Sequence, residues 1–136
     1  RLKIIVRDDN LIRIQVPLSF AYDFASRGVQ VDVLFLNMAL LALTAEGAKA
    51  LRVDGRHADK EPWLRERLAA VGVPADMTDF LREIVGTGHA NLVGCQDSAE
   101  VLQVTEADLI PEAGGLVDSS AFVADAVEDG VHCMYF

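Results

Sequence analysis

Eight residues, Val29-Gln30-Val31-Asp32-Val33-Leu34-Phe35-Leu36, constrain the fold more than any other stretch of this chain. They are rich in β-branched side chains, and their second half is apolar on both faces, the pattern of a central parallel strand covered on both sides. Parallel neighbours cannot be joined by a tight turn, so helices must alternate with strands along the sequence. The flanking segments supply that alternation. Leu2 to Arg7 reads as a first strand and stops at Asp8-Asp9-Asn10, a loop suited to capping a helix. From Leu11 to Ser26, Leu11, Ile14, Leu18, Tyr22 and Ala25 recur at helical spacing, with Gly28 as a stop signal and Pro17 expected to kink the helix.

After the central strand, a helix is expected from about Ala39 to Leu51. Two short amphipathic helices, Trp63 to Val71 and Met77 to Val85, are parted by Gly72-Val73-Pro74 and are expected to close one edge or end of the domain. His89 to Cys95 reads as a third strand, and a short helix with Ala99, Val101 and Leu102 opens at Ser98. A later helix carries Phe122, Val123 and Ala126, and Val131 to Phe136 is a final strand. This order predicts four strands joined by right-handed crossovers in a doubly wound, mainly parallel α/β sheet with helices on both faces. At 136 residues the chain has the size of one domain, spanning 1–136.

Charge narrows the partners. The formal net charge is −9, which disfavours nucleic acid and anionic membrane surfaces, both of which are bound through excess Lys and Arg. All 12 basic residues lie in residues 1 to 82, whereas residues 83 to 136 hold 10 acidic residues and no Lys or Arg. The C-terminal third is therefore an acidic surface, either a solvated face or a docking face for a basic partner. The most apolar run, Met38 to Leu43, is far shorter than a membrane span, and no signal peptide pattern opens the chain. Two cysteines 38 positions apart, with no Cys-x-x-Cys pair, fit a reduced cytoplasmic protein and not a disulfide framework or a zinc site.

In a parallel sheet, reactive groups collect beyond the carboxyl ends of the strands. Three segments end there: the first loop with Asp9 and Asn10, the second with Asn37 and Met38, and Cys95-Gln96-Asp97-Ser98. Cys95 stands directly before a helix, whose dipole lowers a thiol pKa, while Asp97 and Glu100 oppose a second negative charge. Arg7, Arg52 or Arg56 would favour the thiolate if one reached it. The alternative for Cys95 is a small buried hydrophobe, and Cys133, among bulky apolar neighbours, is expected to be an inert core thiol. A disulfide between the two would need Cα atoms within about 7 Å.

His57 is expected in an exposed loop, at the rim of the site with Asp9, Asn10, Asn37 and Met38. It or His89 could pair with Cys95, but no spacing matches a metal-ligand pattern, so no metal is expected. Gly86-Thr87-Gly88 precedes a strand instead of following one and so fails as a dinucleotide loop, and Asp8 with Asp9 would repel phosphate. No cofactor is expected.

Three ordered stretches resemble the DsrE/DsrF-like family of small sulfur-relay proteins, especially its peroxiredoxin-named single-domain branch. They are Asp9 through Val33, ending in V-x-V-x-V-L-F with Phe35; Gly94-Cys95-Gln96-Asp97-Ser98, similar to the family's Cys-x-x-Ser; and Glu106 to Ile110, Gly114-Gly115 and the helix through Phe122, Ala124 and Ala126. The stretch Ala58 to Val85, long and charged, departs from the family pattern. The resemblance implies a flavodoxin-like sheet, a homotrimer or homohexamer, and a cysteine, here Cys95, that takes sulfane sulfur as a persulfide and passes it to a partner protein.

Two functions follow as expectations. In the first, Cys95 is the nucleophile of a sulfurtransferase-like carrier, Gln96 and Asp97 complete its loop, and Ser98 caps the helix. In the second, the fold is a non-catalytic oligomeric binding or regulatory module that docks a partner through its acidic C-terminal third. A thiol peroxidase is weaker, because the chain lacks a Thr-x-x-Cys environment. The exposure of Cys95 and the charges around its sulfur discriminate: a buried sulfur in apolar surroundings favours the second.

Overall fold

The computed structural model describes residues 1–136 as five parallel strands and six α-helices. The strands are β1 (Leu2–Val6), β2 (Val31–Phe35), β3 (Ala90–Cys95), β4 (Ala113–Val117) and β5 (His132–Tyr135). The helices are α1 (Leu11–Ser26), α2 (Ala45–Ala50), α3 (Glu61–Ala70), α4 (Met77–Gly86), α5 (Gln96–Leu102) and α6 (Ser119–Glu128). The sheet order is β4-β3-β2-β1-β5, and every neighbouring pair is parallel. This is the doubly wound, flavodoxin-like α/β architecture. No helix is long and apolar enough to cross a membrane.

Topology decides where the helices lie. The steps from β1 to β2, β3 and β4 all run one way across the sheet, so right-handed crossovers put α1, α2, α4 and α5 on one face. The return from β4 to β5 runs the other way and leaves α6 alone on the opposite face. The two faces are filled accordingly. Beneath the helical layer, 25 buried residues form one core, including Ile4, Val33, Leu92, Ile14, Leu40 and Leu81. Under α6 the buried apolar cluster is smaller: Ile5, Leu34, Val93, Cys95 and Phe122.

Lys3 also points to the α6 side and is 1% exposed. A buried ammonium is tolerated only when partnered. Here its Nζ donates to the Phe122 carbonyl at 2.6 Å, lies 3.4 Å from Asp125 Oδ2 and sits 4.3 Å from the centre of the Phe122 ring.

Several expected elements differ in form. The helix from Ala39 to Leu51 is instead a 3-10 segment, Asn37–Leu43, broken at Thr44 before α2. Thr44 explains the break: its hydroxyl donates to the Leu41 carbonyl at 2.8 Å and accepts from the Gly47 N–H at 3.0 Å, so one side chain ends one segment and caps the next. α1 continues through Pro17 without interruption. β4 was not anticipated at all, because Ala113-Gly114-Gly115-Leu116-Val117 has little strand propensity. α3 buries no residue, although its spacing suggests an apolar face.

Candidate functional site

The carboxyl end of β3 runs straight into α5, with Cys95 as the last strand residue and the N-cap of the helix. Its Sγ accepts the Ser98 N–H at 3.5 Å. The expected cap was Ser98, but that residue stands in the first turn, and its hydroxyl oxygen instead accepts the Asn37 N–H at 2.8 Å. Asn37 has a φ of 49°, a left-handed conformation that asparagine adopts more readily than most residues. The ends of β2 and β3 are thereby tied together at the sulfur. Gly94 stands beside it, and a Cβ there would displace the side-chain ends of Leu40 and Leu116.

The thiol is closed in. Cys95 is 3% exposed and belongs to the cluster of Ile5, Leu34, Val93 and Phe122, with Leu36 and Val117 packed against it. No arginine hydrogen-bonds or ion-pairs with it. Arg7 lies over the Tyr135 ring at 5.4 Å, Arg52 donates to the carbonyls of Lys49 and Leu51, and Arg56 donates to His57 Nε2 at 3.1 Å. Gln96, Asp97 and Glu100 face solvent.

The proposed rim separates into parts with other tasks. Asn10 is buried and caps α1, its Oδ1 accepting the Ile12 N–H at 3.0 Å, and its amide donates to Asp54. Asp9 is half-buried in the same loop, and Met38 is exposed at the start of the 3-10 segment after β2. His57 lies on the exposed 3-10 turn Gly55–Lys60 and makes no hydrogen bond to Cys95. No group of three or more His, Cys, Asp or Glu side chains is gathered to hold a metal.

Cys133 overturns the core expectation, because β5 is an edge strand and the residue is exposed. Partial burial of its thiol raises its pKa, and the charge of Lys3, its register partner on β1, pulls the other way. Three strand steps separate β5 from β3, about 14 Å at ordinary strand spacing, which is too far for a disulfide. Both cysteines are free.

The sheet face that holds Cys95 also carries a feature the sequence reading missed. A groove of about 590 Å³ runs between α6 and the strands, lined by Ile5, Leu34, Leu36, Val123, Val127 and Tyr135, with Glu128 at its rim. α6 buries only Phe122 and Ala126, leaving Val123 at 40% and Val127 at 76% exposure. The available signal was the second i,i+4 apolar pair, Val123 and Val127, beside the first.

No protein-family model matches the sequence, and no curated protein does. Solved structures do match over essentially the full length. The ychN protein from E. coli aligns with a TM-score of 0.66 at 11% identity, covering 100% of this chain and 98% of that one. Protein BT1422 from Bacteroides thetaiotaomicron, of unknown function, gives 0.63 at 12% identity over 99% and 93% of the two chains. Protein MTH1491 from Methanobacterium thermoautotrophicum, also of unknown function, gives 0.62 at 11% identity over 100% and 98%. At such identities the likeness is one of fold: this chain has the same α/β architecture as these small conserved proteins.

Proposed function

We propose that this chain is a non-catalytic oligomeric binding module that docks a partner through the acidic surface of its C-terminal third, with Cys95 as a structural thiol. The observation that carries this reading is the burial of Cys95 among Ile5, Leu34, Val93 and Phe122 with no cation bound to its sulfur. Reactive cysteines sit in partly exposed, electropositive surroundings, whereas buried ones in apolar surroundings behave as small hydrophobes. On the same face the chain offers an accessible apolar groove beside Glu128 and Asp129, neither of which is ion-paired.

Co-purification from native lysate tests it. Cys95→Ser is expected to retain the wild-type partners, and Glu128→Lys with Asp129→Lys to lose them; the opposite pattern refutes the reading. These two carboxylates are better probes than Asp118, which caps α6, or Asp125, which faces Lys3.

A second reading is favoured by the Ser98 N–H directed at Cys95 Sγ and by the resemblance to DsrE/DsrF-like sulfur-relay proteins. In it, a reduced cytoplasmic homotrimer or homohexamer carries sulfane sulfur on Cys95. The thiolate attacks the sulfane sulfur of a donor, a new S–S bond forms, and the donor's sulfur bond breaks with its electron pair leaving on the donor thiolate. Attack by an acceptor thiolate then removes the outer sulfur. Mass spectrometry after incubation with polysulfide decides: this reading requires a gain of about 32 Da, one sulfur atom, on Cys95 of the wild type and of Cys133→Ser. Equal loading of wild type and Cys95→Ser eliminates it.

A further inference from the structure

α6 is alone on its face of the sheet, and its attachment there is thin. It crosses from one edge of the sheet to the other, following β4 after Asp118 alone and leading into β5 through Asp129, Gly130 and Val131. Gly130 has a φ of 63°, so the exit from the helix turns on a left-handed glycine. Beneath the helix only Phe122 and Ala126 are buried. Space lies open along both flanks: the groove of about 590 Å³ on the side of Tyr135, and a second cavity of about 280 Å³ on the side of Asn91 and Val117. The helix therefore rests on the strands along one line.

What lies under that line is mixed in polarity. Toward the carboxyl ends, the strands present Ile5, Leu34, Val93 and Cys95, and Phe122 closes over them. Toward the amino ends, Lys3, Asp32 and Asn91 stand in register on β1, β2 and β3 and line the smaller cavity. A parallel sheet that stays covered on both sides is apolar on both. Here each of the three central strands carries a charged or amide side chain on the α6 face. Lys3 is the most constrained of them. With α6 in place its ammonium is buried against the Phe122 carbonyl and Asp125; without α6 it would return to water. In a buried pair of this kind the cost of desolvation offsets much of the attraction, so the clamp adds little net to closure. Phe122 is left as the main anchor.

We propose that α6 is a lid. It leaves the sheet while the five strands stay paired, and it uncovers Cys95 together with the row of Lys3, Asp32 and Asn91. Segments with few buried apolar contacts are the ones that open locally, below the free energy of global unfolding. Neither functional reading requires such an opening, and it depends on neither. The closed thiol then describes one state of the lid.

Cys95 reports the opening from inside. In Cys133→Ser, which leaves it the only thiol, alkylation by iodoacetamide is followed by mass spectrometry at urea concentrations below the unfolding transition. Alkylation is expected to be far slower than that of the unfolded chain. Its dependence on urea should be less than about a third of the global unfolding slope, because one helix exposes little surface. Phe122→Ala in the same background removes the anchor and is expected to speed alkylation without urea at least about tenfold. Ile84→Val, in the core on the opposite face, should lower the urea midpoint and leave that rate unchanged. By hydrogen exchange, the amides of α6 should exchange before those of β1 and β2.

Alkylation that follows urea with the full global slope overturns the proposal, as does an Ile84→Val variant whose rate rises in step with its lost stability. A thiol that reacts as fast as in the unfolded chain, or α6 amides protected as strongly as those of β2, overturns it too. Should Phe122→Ala fail to fold, the urea slope, Ile84→Val and hydrogen exchange decide without it. Partner capture and sulfur loading enter none of these measurements, so a failure of the lid is separate from a failure of either functional reading.

Discussion

Gly47 opens α2 where the chain has just left the 3-10 segment, and the space above it is already filled. A Cβ built there collides with the carbonyl group of Leu41, which is backbone and cannot rotate away, and lies 2.7 Å from the Thr44 hydroxyl. That hydroxyl is the one holding the junction, through Leu41 on one side and the Gly47 N–H on the other. Alanine is a better helix former than glycine, so propensity alone favours Gly47→Ala by up to about 1 kcal/mol. Overpacking against backbone costs about 1–3 kcal/mol and should win. A lower urea midpoint for Gly47→Ala is therefore expected, and a midpoint at or above wild type would show that the junction can open. The residues themselves announced little of this. Thr44 and Gly47 sit inside an apolar run that reads as one continuous helix, and only the tertiary placement of Leu41 shows why it breaks. Cys95 is the opposite case. Its position between strand and helix was plain from the sequence, while its burial depends on Ile5, Leu34 and Phe122, which arrive from three other elements.

At the level of elements, strong periodicity was readable and weak propensity was not. β1, α1, β2, α4 and β3 fall close to their expected limits because their apolar positions recur at one clear spacing. β4 was invisible for the reason that makes it an edge strand: two glycines, half-exposed side chains, and a register shift between Leu92 and Gly94 of its neighbour. Gly115 holds that irregularity, with a φ of 100° that a residue with a Cβ seldom adopts. Its would-be Cβ lies 3.3 Å from Glu106 Oε1, the same oxygen that accepts the Leu116 N–H at 3.3 Å. Gly115→Ala is thus expected to cost about 1–2 kcal/mol. It should also raise amide hydrogen exchange in β4 and its partner residues of β3 before other strands. Uniform exchange across the sheet would place the irregularity in the edge's geometry and not in its stability. α3 follows its helical pattern with the apolar side only half-buried: Leu64 packs against the edge of the core, while Trp63 stands out at 61% exposure.

For the molecule as a whole, the segregation of charge was legible by counting, but the bareness of one sheet face was not, because that follows from strand order. The same charges set how the fold responds to acid. Four carboxylates titrate below their usual values: Asp8, Glu61, Glu112, and Asp108, which the Thr105 N–H and hydroxyl hold. For Glu112, the cause is the hydrogen bond from Arg82, 3.0 Å away on α4. Burial pushes Asp8 and Glu61 up, but donors outweigh it: Asn10 N–H and Arg13 for Asp8, Val53 N–H and Arg65 for Glu61. A carboxyl whose folded pKa lies below its unfolded one contributes stability in full above the unfolded value, because the unfolded chain then gains no extra protons. As pH falls through the unfolded and then the folded value, the unfolded state takes up protons first and that stability is lost. With ordinary values of 3.8 for Asp and 4.5 for Glu, the loss falls below pH 4.5. A competing effect has the opposite sign: the charge of −9 at pH 7 vanishes toward a pI near 4.6, relieving self-repulsion. At about 0.15 M salt, repulsion between exposed charges is screened beyond about 8 Å, whereas these short hydrogen-bonded pairs are screened far less. The pairs should therefore decide the outcome. Urea midpoints measured at that salt are expected to stay level from pH 7 to about 5 and to fall below it. Glu112→Gln should be less stable at pH 7 and lose less on acidification, so that its curve converges on the wild type as the pH falls below 4.5; parallel curves would remove the Arg82–Glu112 pair from the account.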